Sequence, residues 1–287
     1  MDVLRADHMT GIARAVTAVG SDAFPKALAA LCLSVFNYDS IFVSVFSRDF
    51  PPRQLYSNLD PEATRRTIGP YLSYAYLLDP FYGLFKADVG TSVVRLDDCA
   101  PDDFRASDYY RTFYSEIGLR NEVTIFVDAG EGSSIVLSLG QRGEDRAVAP
   151  DAKALLEGIL PVIVALCLRH WPNPSSHAGA DPAEAGVRLA FERFQSCKLS
   201  TREAEIVRLM LKGHSTKSIA RLLGNSPETV KVHRKRIYAK LKISSQGELF
   251  SMFLGAMVAP HSGADAKDET PPLLTDDRDA APDVLLN

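Results

Sequence analysis

The chain of 287 residues is 46% hydrophobic, which suits one large or two ordinary domains with ample core. Its formal net charge of −4 hides an asymmetry: residues 199–243 hold eleven Lys/Arg against three Glu, and the rest holds 21 against 33 acids. A cationic module on an acidic body calls for a polyanionic partner for that module alone.

The longest apolar run, residues 159–168, carries Pro161 and falls short of the ~18 residues that suggest a membrane span. The opening MDVLRADHMT lacks the apolar stretch of a leader, so a cytoplasmic protein with no membrane partner is expected. Cys32, Cys99, Cys167 and Cys197 are scattered, which argues against a zinc site or a disulfide framework. No cofactor is expected.

In chain order, residues 9–20 and 21–36 read as helices; Ala23, Ala27, Leu28, Leu31 and Val35 give the second an apolar stripe. SIFVSVFS at 40–47 is β-branched and aromatic and reads as a strand. Pro51-Pro52 turns the chain, and 54–58 returns as a second strand. Residues 61–87 look helical, broken by Pro70 and Pro80, with aromatics at Tyr71, Tyr74, Tyr76, Phe81, Tyr82 and Phe85. A short strand at 91–96 precedes a second aromatic cluster within 102–117 (Phe104, Tyr109, Tyr110, Phe113, Tyr114). Residues 122–128 and 133–141 are the clearest strands, and Gly130-Glu131-Gly132 is their hairpin loop. A helix follows at 151–170. The expected fold is an α+β N-terminal sensor domain, an antiparallel sheet of about five strands flanked by helices. The acids Asp97-Asp98 and Asp102-Asp103 read as solvated loop.

PNPSSHAGADPAEAG, from residue 172, is poor in large apolar side chains and opens a linker over 172–189. Residues 190–256 form the second domain. From 259 to 287 the chain has seven acids, two bases and no periodicity, as in a disordered acidic tail.

Residues 201–212 place Ala204, Ile206, Val207, Met210 and Leu211 on a buried arc that Gly213 ends. Ser215 caps a short helix over 216–223, with Ile219, Ala220, Leu222 and Leu223 for core. Ser226-Pro227 opens a third. At about 100° per residue, Val230, Ile237 and Leu241 form its buried stripe, and Lys231, Val232, Lys235, Arg236, Ala239 and Lys242 spread over the opposite arc. Phosphates need the charge, while base edges need close approach: Lys reaches guanine acceptors and Val meets a thymine methyl. Thr229, near the helix N-terminus, suits a phosphate.

Thr201-Arg202-Glu203, the 213–220 stretch and Thr229-Val230-Lys231-Val232-His233 resemble the C-terminal DNA-binding domain of LuxR-type (NarL/FixJ) transcriptional regulators. The resemblance implies an all-α four-helix domain with its helix-turn-helix at about 214–233 and a fourth helix near 246–257. That last helix carries Leu249, Phe250, Phe253, Leu254 and Met257 for core and dimer contact. The resemblance places Lys231, Val232 and Lys235 near bases, and Thr229, His233 and Lys217 near or supporting the backbone. Thr216, Arg234 and Arg236 complete the candidate DNA-binding set. His233, at the rim of the buried stripe, reads as structural rather than as a metal ligand. A homodimer reading a pseudo-palindromic operator on double-stranded DNA is expected.

No strand ending in an acidic pair opens the chain, which argues against a phosphorylation receiver. The N-terminal domain reads as a GAF/PAS-like sandwich or as the autoinducer-binding domain of the LuxR family. Residues 71–80, Tyr-Leu-Ser-Tyr-Ala-Tyr-Leu-Leu-Asp-Pro, resemble that family's Tyr…Asp-Pro segment, whose Asp bonds the amide of an acyl-homoserine lactone. Two departures stand: the pocket tryptophans are missing, since the one Trp is Trp171, and the tyrosine spacing to Asp79 differs. Tyr71, Tyr74, Tyr76, Asp79 and Tyr82 are the candidate ligand residues for a quorum-sensing-like or other small molecule. Aromatic core packing and a helix start at Asp79-Pro80 are compatible alternatives. The competing functions are a protein-interaction module, with RNA polymerase a candidate partner, and an enzyme tethered to DNA. No nucleophile elbow, P-loop or metal pair supports the enzyme.

Overall fold

The computed structural model describes residues 6–36, 38–143, 152–174 and 199–258. The linker, apart from residues 172–174, and the acidic tail therefore lie outside the described residues.

Two helices, α1 (Ala6–Ala18) and α2 (Phe24–Phe36), lead into β1 (Ser40–Ser47) and β2 (Arg53–Ser57). After a mostly helical crossover come β3 (Ser92–Arg95), β4 (Leu119–Gly130), β5 (Ser133–Arg142) and α7 (Ala152–His170). The strands form one antiparallel sheet in the order β2-β1-β5-β4-β3. The hairpin between β4 and β5 turns through Gly130, Glu131 and Gly132, all at positive φ (75°, 50° and 66°), a conformation two of these three residues adopt without a Cβ penalty.

The register separates the two faces. On one face Ile41, Val43, Ile135, Leu137, Leu139, Val123, Ile125 and Val127 pack against Leu28 and Leu31 of α2 and Ile163 of α7. The other face pairs Ser40 with Gly140, Phe42 with Ser138, and Glu122 with Gly140. At its far end Phe46, Val136 and Phe126 fill the space with bulk. Small side chains at one end and rings at the other leave a hollow at the small end.

The crossover covers this second face. It consists of α3 (Pro61–Ala63), a π-helical turn (Thr64–Ile68), α4 (Gly69–Ser73), a 3₁₀ turn (Ala75–Leu78) and α5 (Pro80–Lys86). Pro70 was expected to break the helix, but it does not. The wide turn before it bonds Gly69 N–H to the Thr64 carbonyl, so a residue without an amide hydrogen is accommodated. The break falls at Tyr74, whose φ of −156° leaves the helix. A short helix unforeseen in the sequence, α6 (Leu96–Cys99), follows β3. Residues 104–106, 110–114 and 115–117 are 3₁₀, π and 3₁₀ turns, and this stretch gathers Phe104, Tyr109, Tyr110, Phe113 and Tyr114 into one aromatic layer.

The C-terminal helices are α8 (Thr201–Leu211), α9 (Thr216–Leu222), α10 (Pro227–Leu241) and α11 (Gln246–Val258). Ser200, Ser215 and Ser226 each cap a helix by accepting a backbone N–H. Ile206, Val207, Met210, Ile219, Val230, Ile237, Leu249 and Phe253 form the core. Leu222, expected inside, is 53% exposed because α9 turns that side to solvent. The buried Glu203 completes a capping box with Ser200 and accepts a bond from Lys240 Nζ at 2.6 Å, which ties α8 to α10. No described helix is long and apolar enough to cross a membrane.

Candidate functional site

Two surfaces carry chemistry, and the packing connects them. The first is the outer arc of α10. Ser226 Oγ accepts Thr229 N–H at 3.1 Å, and Pro227 stands in the first turn, which fixes the helix start among the exposed residues Ser226, Glu228 and Thr229. Lys231, Lys235 and Arg236 are exposed, and Val232 stands 50% exposed among them. Among the described residues Val232 belongs to no buried core cluster. Lys231 is 3.8 Å from Glu228, an exposed pair of little energetic weight, so its ammonium remains available. Thr229 and Lys217 are exposed beside this arc.

Arg234 and Thr216 take a different place from the other candidates. The Arg234 guanidinium donates to Thr216 Oγ1 (3.0 Å), Tyr238 Oη (3.2 Å) and Gln246 Oε1 (3.3 Å). It thereby staples α10 to α9 and α11, and half-buries itself in doing so. His233 is half-buried at the rim of the stripe. Among the described residues no group of three or more metal-ligating side chains is assembled.

The second surface is a cavity of about 100 Å³ over the small end of the sheet. Asp79 enters it from the crossover. Its Oδ1 caps α5 by accepting Phe81 N–H at 2.8 Å, and its Oδ2 accepts the Tyr71 hydroxyl at 2.6 Å. The helix start and the pocket acid are thus one residue. Glu122 enters from β4 and accepts the Tyr114 hydroxyl at 2.7 Å. Tyr109, Phe113, Ile68, Leu119, Ser138 and Gly140 add to the wall.

Of the ligand candidates, Tyr71 and Asp79 line this cavity, while Tyr74, Tyr76 and Tyr82 do not. Tyr76 and Tyr82 meet edge to face at 4.8 Å, and Tyr82 packs on Phe46 and Phe85. Tyr74 points out of the cavity to Phe113 and Phe253. Tyr109, Tyr114 and Glu122 were missed. Glu122 carried a partial signal: it shares a face of its strand with Thr124 and Phe126, although Asp128 on the same face is exposed.

Burial drives the acids toward their neutral forms. It raises Asp79 from 3.8 to about 6, against the bonds from Tyr71 and Phe81 that favour the charge. It raises Glu122 from 4.5 to about 7, with repulsion from Asp79 adding to the effect. Tyr71, Tyr109 and Tyr114 are pushed well above the usual phenol range by burial, so they remain donors. Because both carboxyls titrate higher folded than unfolded, the folded state binds more protons between about pH 4 and 7, and their stabilising contribution is lost as pH rises through that window. Glu122→Gln is therefore expected to reduce the fall in Tm between pH 5 and pH 8 by on the order of 5 °C. An unchanged slope in scanning calorimetry would refute this burial.

The two surfaces meet where residues 101–113 touch the turn after α8. Asp103 N–H donates to the Gly213 carbonyl at 3.0 Å. The Asp102 carboxylate accepts Ser215 N–H at 2.9 Å and also the Ser215 hydroxyl. Asp102, read from the sequence as a solvated acid, instead binds the first turn of α9. Desolvation pushes its carboxyl up, but the two bonds from Ser215 and its other neighbours together outweigh it and hold the carboxyl below its usual range. Lys212 packs against Gly83 of α5, and its charge acts on Asp79.

Residues 197–253 match the profile of bacterial regulatory proteins of the luxR family. An Aeromonas salmonicida HTH-type transcriptional regulator of the exeN 3′ region is 31% identical over 163 residues, covering 54% of this chain and 83% of that protein. The transcriptional regulatory protein FixJ of Azorhizobium caulinodans is 39% identical over 89 residues, covering 31% of this chain and 36% of its own. In fold, the crystal structure of the VqsR LBD domain from Pseudomonas aeruginosa superposes with a TM-score of 0.51 at 23% identity, over 58% of this chain and 96% of that one.

Proposed function

Because the chain belongs to the LuxR family of DNA-binding transcriptional regulators, we propose that its N-terminal cavity binds a small molecule and that occupancy controls a homodimer's grip on a pseudo-palindromic operator. The observation that carries this reading is a run of rings from cavity to output helix. Phe113 lines the cavity and meets Tyr74 at 6.4 Å between centroids, and Tyr74 meets Phe253 of α11 at 6.5 Å. A second run passes through Tyr109 to Phe104 at 5.9 Å, and the Phe104 backbone lies against Gly213. A ligand that moves either ring has a packed route to the helix-turn-helix, provided it binds the docked and released arrangements unequally.

In the docked arrangement, Phe250 and Phe253 of α11 are buried within one chain. The apolar face available for a dimer contact is thus partly consumed by Tyr74. Lys231, Val232 and Lys235 would approach bases, with Thr229, Lys217 and Arg236 on phosphates. Arg234, Thr216 and His233 would hold the reading helix in place.

Tyr74→Ala tests the route by removing the ring between the wall residue Phe113 and Phe253, while Tyr74 itself does not line the cavity. It is expected to raise the dimer fraction in sedimentation and to strengthen binding, several-fold and without ligand, to duplexes selected from a random pool by the wild type. Sedimentation and affinity both equal to wild type would sink the proposed route. Native mass spectrometry of the protein from its own host would show a stoichiometric small molecule. A co-purified protein and no small molecule would favour a protein-interaction role for this domain.

A further inference from the structure

Asp79 and Glu122 face one cavity, from the helical layer and from the sheet. The groups bonded to them suit charged carboxylates. Tyr71 and the Phe81 amide donate to Asp79, and Tyr114, Ser138 and Thr124 hydroxyls serve Glu122. No Lys, Arg or His is among the wall residues. Lys212 acts on Asp79 from beside Gly83 but forms no ion pair with it among the described residues, and both acids act on Cys99 and on the phenols of Tyr71, Tyr109 and Tyr114. Among the described residues the cavity has donors for two carboxylates and no cation within it.

Building on the sensing role above, we propose that this cavity selects a small organic ammonium ion, an alkyl or aralkyl amine, whose N–H groups are read by Asp79 and Glu122 together. An ammonium brings three donors and one positive charge, which are what two partly satisfied carboxylates lack. The faces of Tyr71, Tyr109, Phe113 and Tyr114 favour a cation beside them and shelter its carbon chain. Against the ionised acids a ligand offering only carbonyl oxygens would set acceptors against acceptors, and a carboxylate would favour their protonated forms and bring no charge to pair with them. One acid could serve as an amide receptor. The second, Glu122, shifts the demand from a single N–H toward charge.

Isothermal titration calorimetry on the full chain, with hexylammonium, 1-hexanol, hexanoate and N-hexanoyl-homoserine lactone as probes, tests the class. Hexylammonium is expected to bind at least ~10-fold tighter than the other three. Its binding near pH 6.5 should release protons, read from buffers of different ionisation enthalpy, as the carboxyls ionise around the cation. Glu122→Gln and Asp79→Asn, each checked by circular dichroism for a wild-type fold, should each weaken hexylammonium ~10-fold or more and reduce the proton release. Hexanol or the lactone binding as tightly as hexylammonium would overturn the ammonium assignment and leave the sensing role standing. Binding by none of the four overturns the assignment too; if Tyr74→Ala then also left DNA affinity unchanged, the sensing role would fall with it.

Discussion

Lys231→Ala is expected to lower affinity for the selected operator by about 1–3 kcal/mol, roughly 5- to 150-fold, while leaving affinity for random duplex nearly unchanged. The reason lies in where α10 puts this side chain. It is exposed beside Val232, one turn from the helix start that Ser226 and Pro227 fix, and its partner Glu228 is a weak exposed contact. A lysine so placed can reach guanine acceptors, a contact that depends on sequence. Lys217→Ala is the control. That residue is exposed on α9, in the set proposed for phosphates, and its loss should weaken operator and random DNA alike and reduce the salt slope by about one. Equal losses for both DNAs in the Lys231 variant would place Lys231 on the backbone.

Gly213→Ala should uncouple the two halves of the chain. Gly213 sits at φ +90°, where any Cβ strains the backbone, and a Cβ there would lie 2.8 Å from Phe104 Cα. Gly224→Ala separates the two costs: it too has positive φ, at +63°, but nothing lies within 4 Å. Both variants should lose about 1–2 kcal/mol for the left-handed conformation. The Gly213 variant must in addition push the Phe104 segment away, breaking the Asp103 bond to the Gly213 carbonyl and pulling Asp102 from Ser215. Hydrogen exchange at the Asp103 and Ser215 amides should then rise at least ~10-fold over the Gly224 variant. Matching exchange in the two variants would mean the halves are not held through this contact.

Legibility in the sequence followed the range of the forces involved. The strand at 40–47 was readable because β-branched and aromatic residues crowd eight positions, and the hairpin at 130–132 because glycines mark it. The serine caps and the buried stripe of Val230 and Ile237 were readable for the same local reason. Pro70 misled because its steric rule presumes an α-helical turn before it, and the chain supplies a π turn. The cavity was half legible. Tyr71 and Asp79 are eight residues apart on one crossover and bond directly. Tyr74, Tyr76 and Tyr82 share their composition but point elsewhere, since a break at Tyr74 resets the helical phase that would have grouped them.

The sequence by itself determined the output: cation placement on one arc of α10, an apolar Val232 among the cations, and caps that set the helix ends all follow from spacing within some twenty residues. Only the tertiary structure assembled the cavity. Glu122 meets Asp79 across the cavity because antiparallel pairing puts Gly140 and Ser138 beside β4 and Ser40 beside Gly140, leaving room where larger residues would have filled it. Pairing of strands up to a hundred residues apart is set by register across the whole sheet, which no local pattern records. The same holds for Asp102. Its charge was plain in the chain, but its partner, Ser215, lies 113 residues on and reaches it only because the helix-turn-helix docks against the aromatic layer.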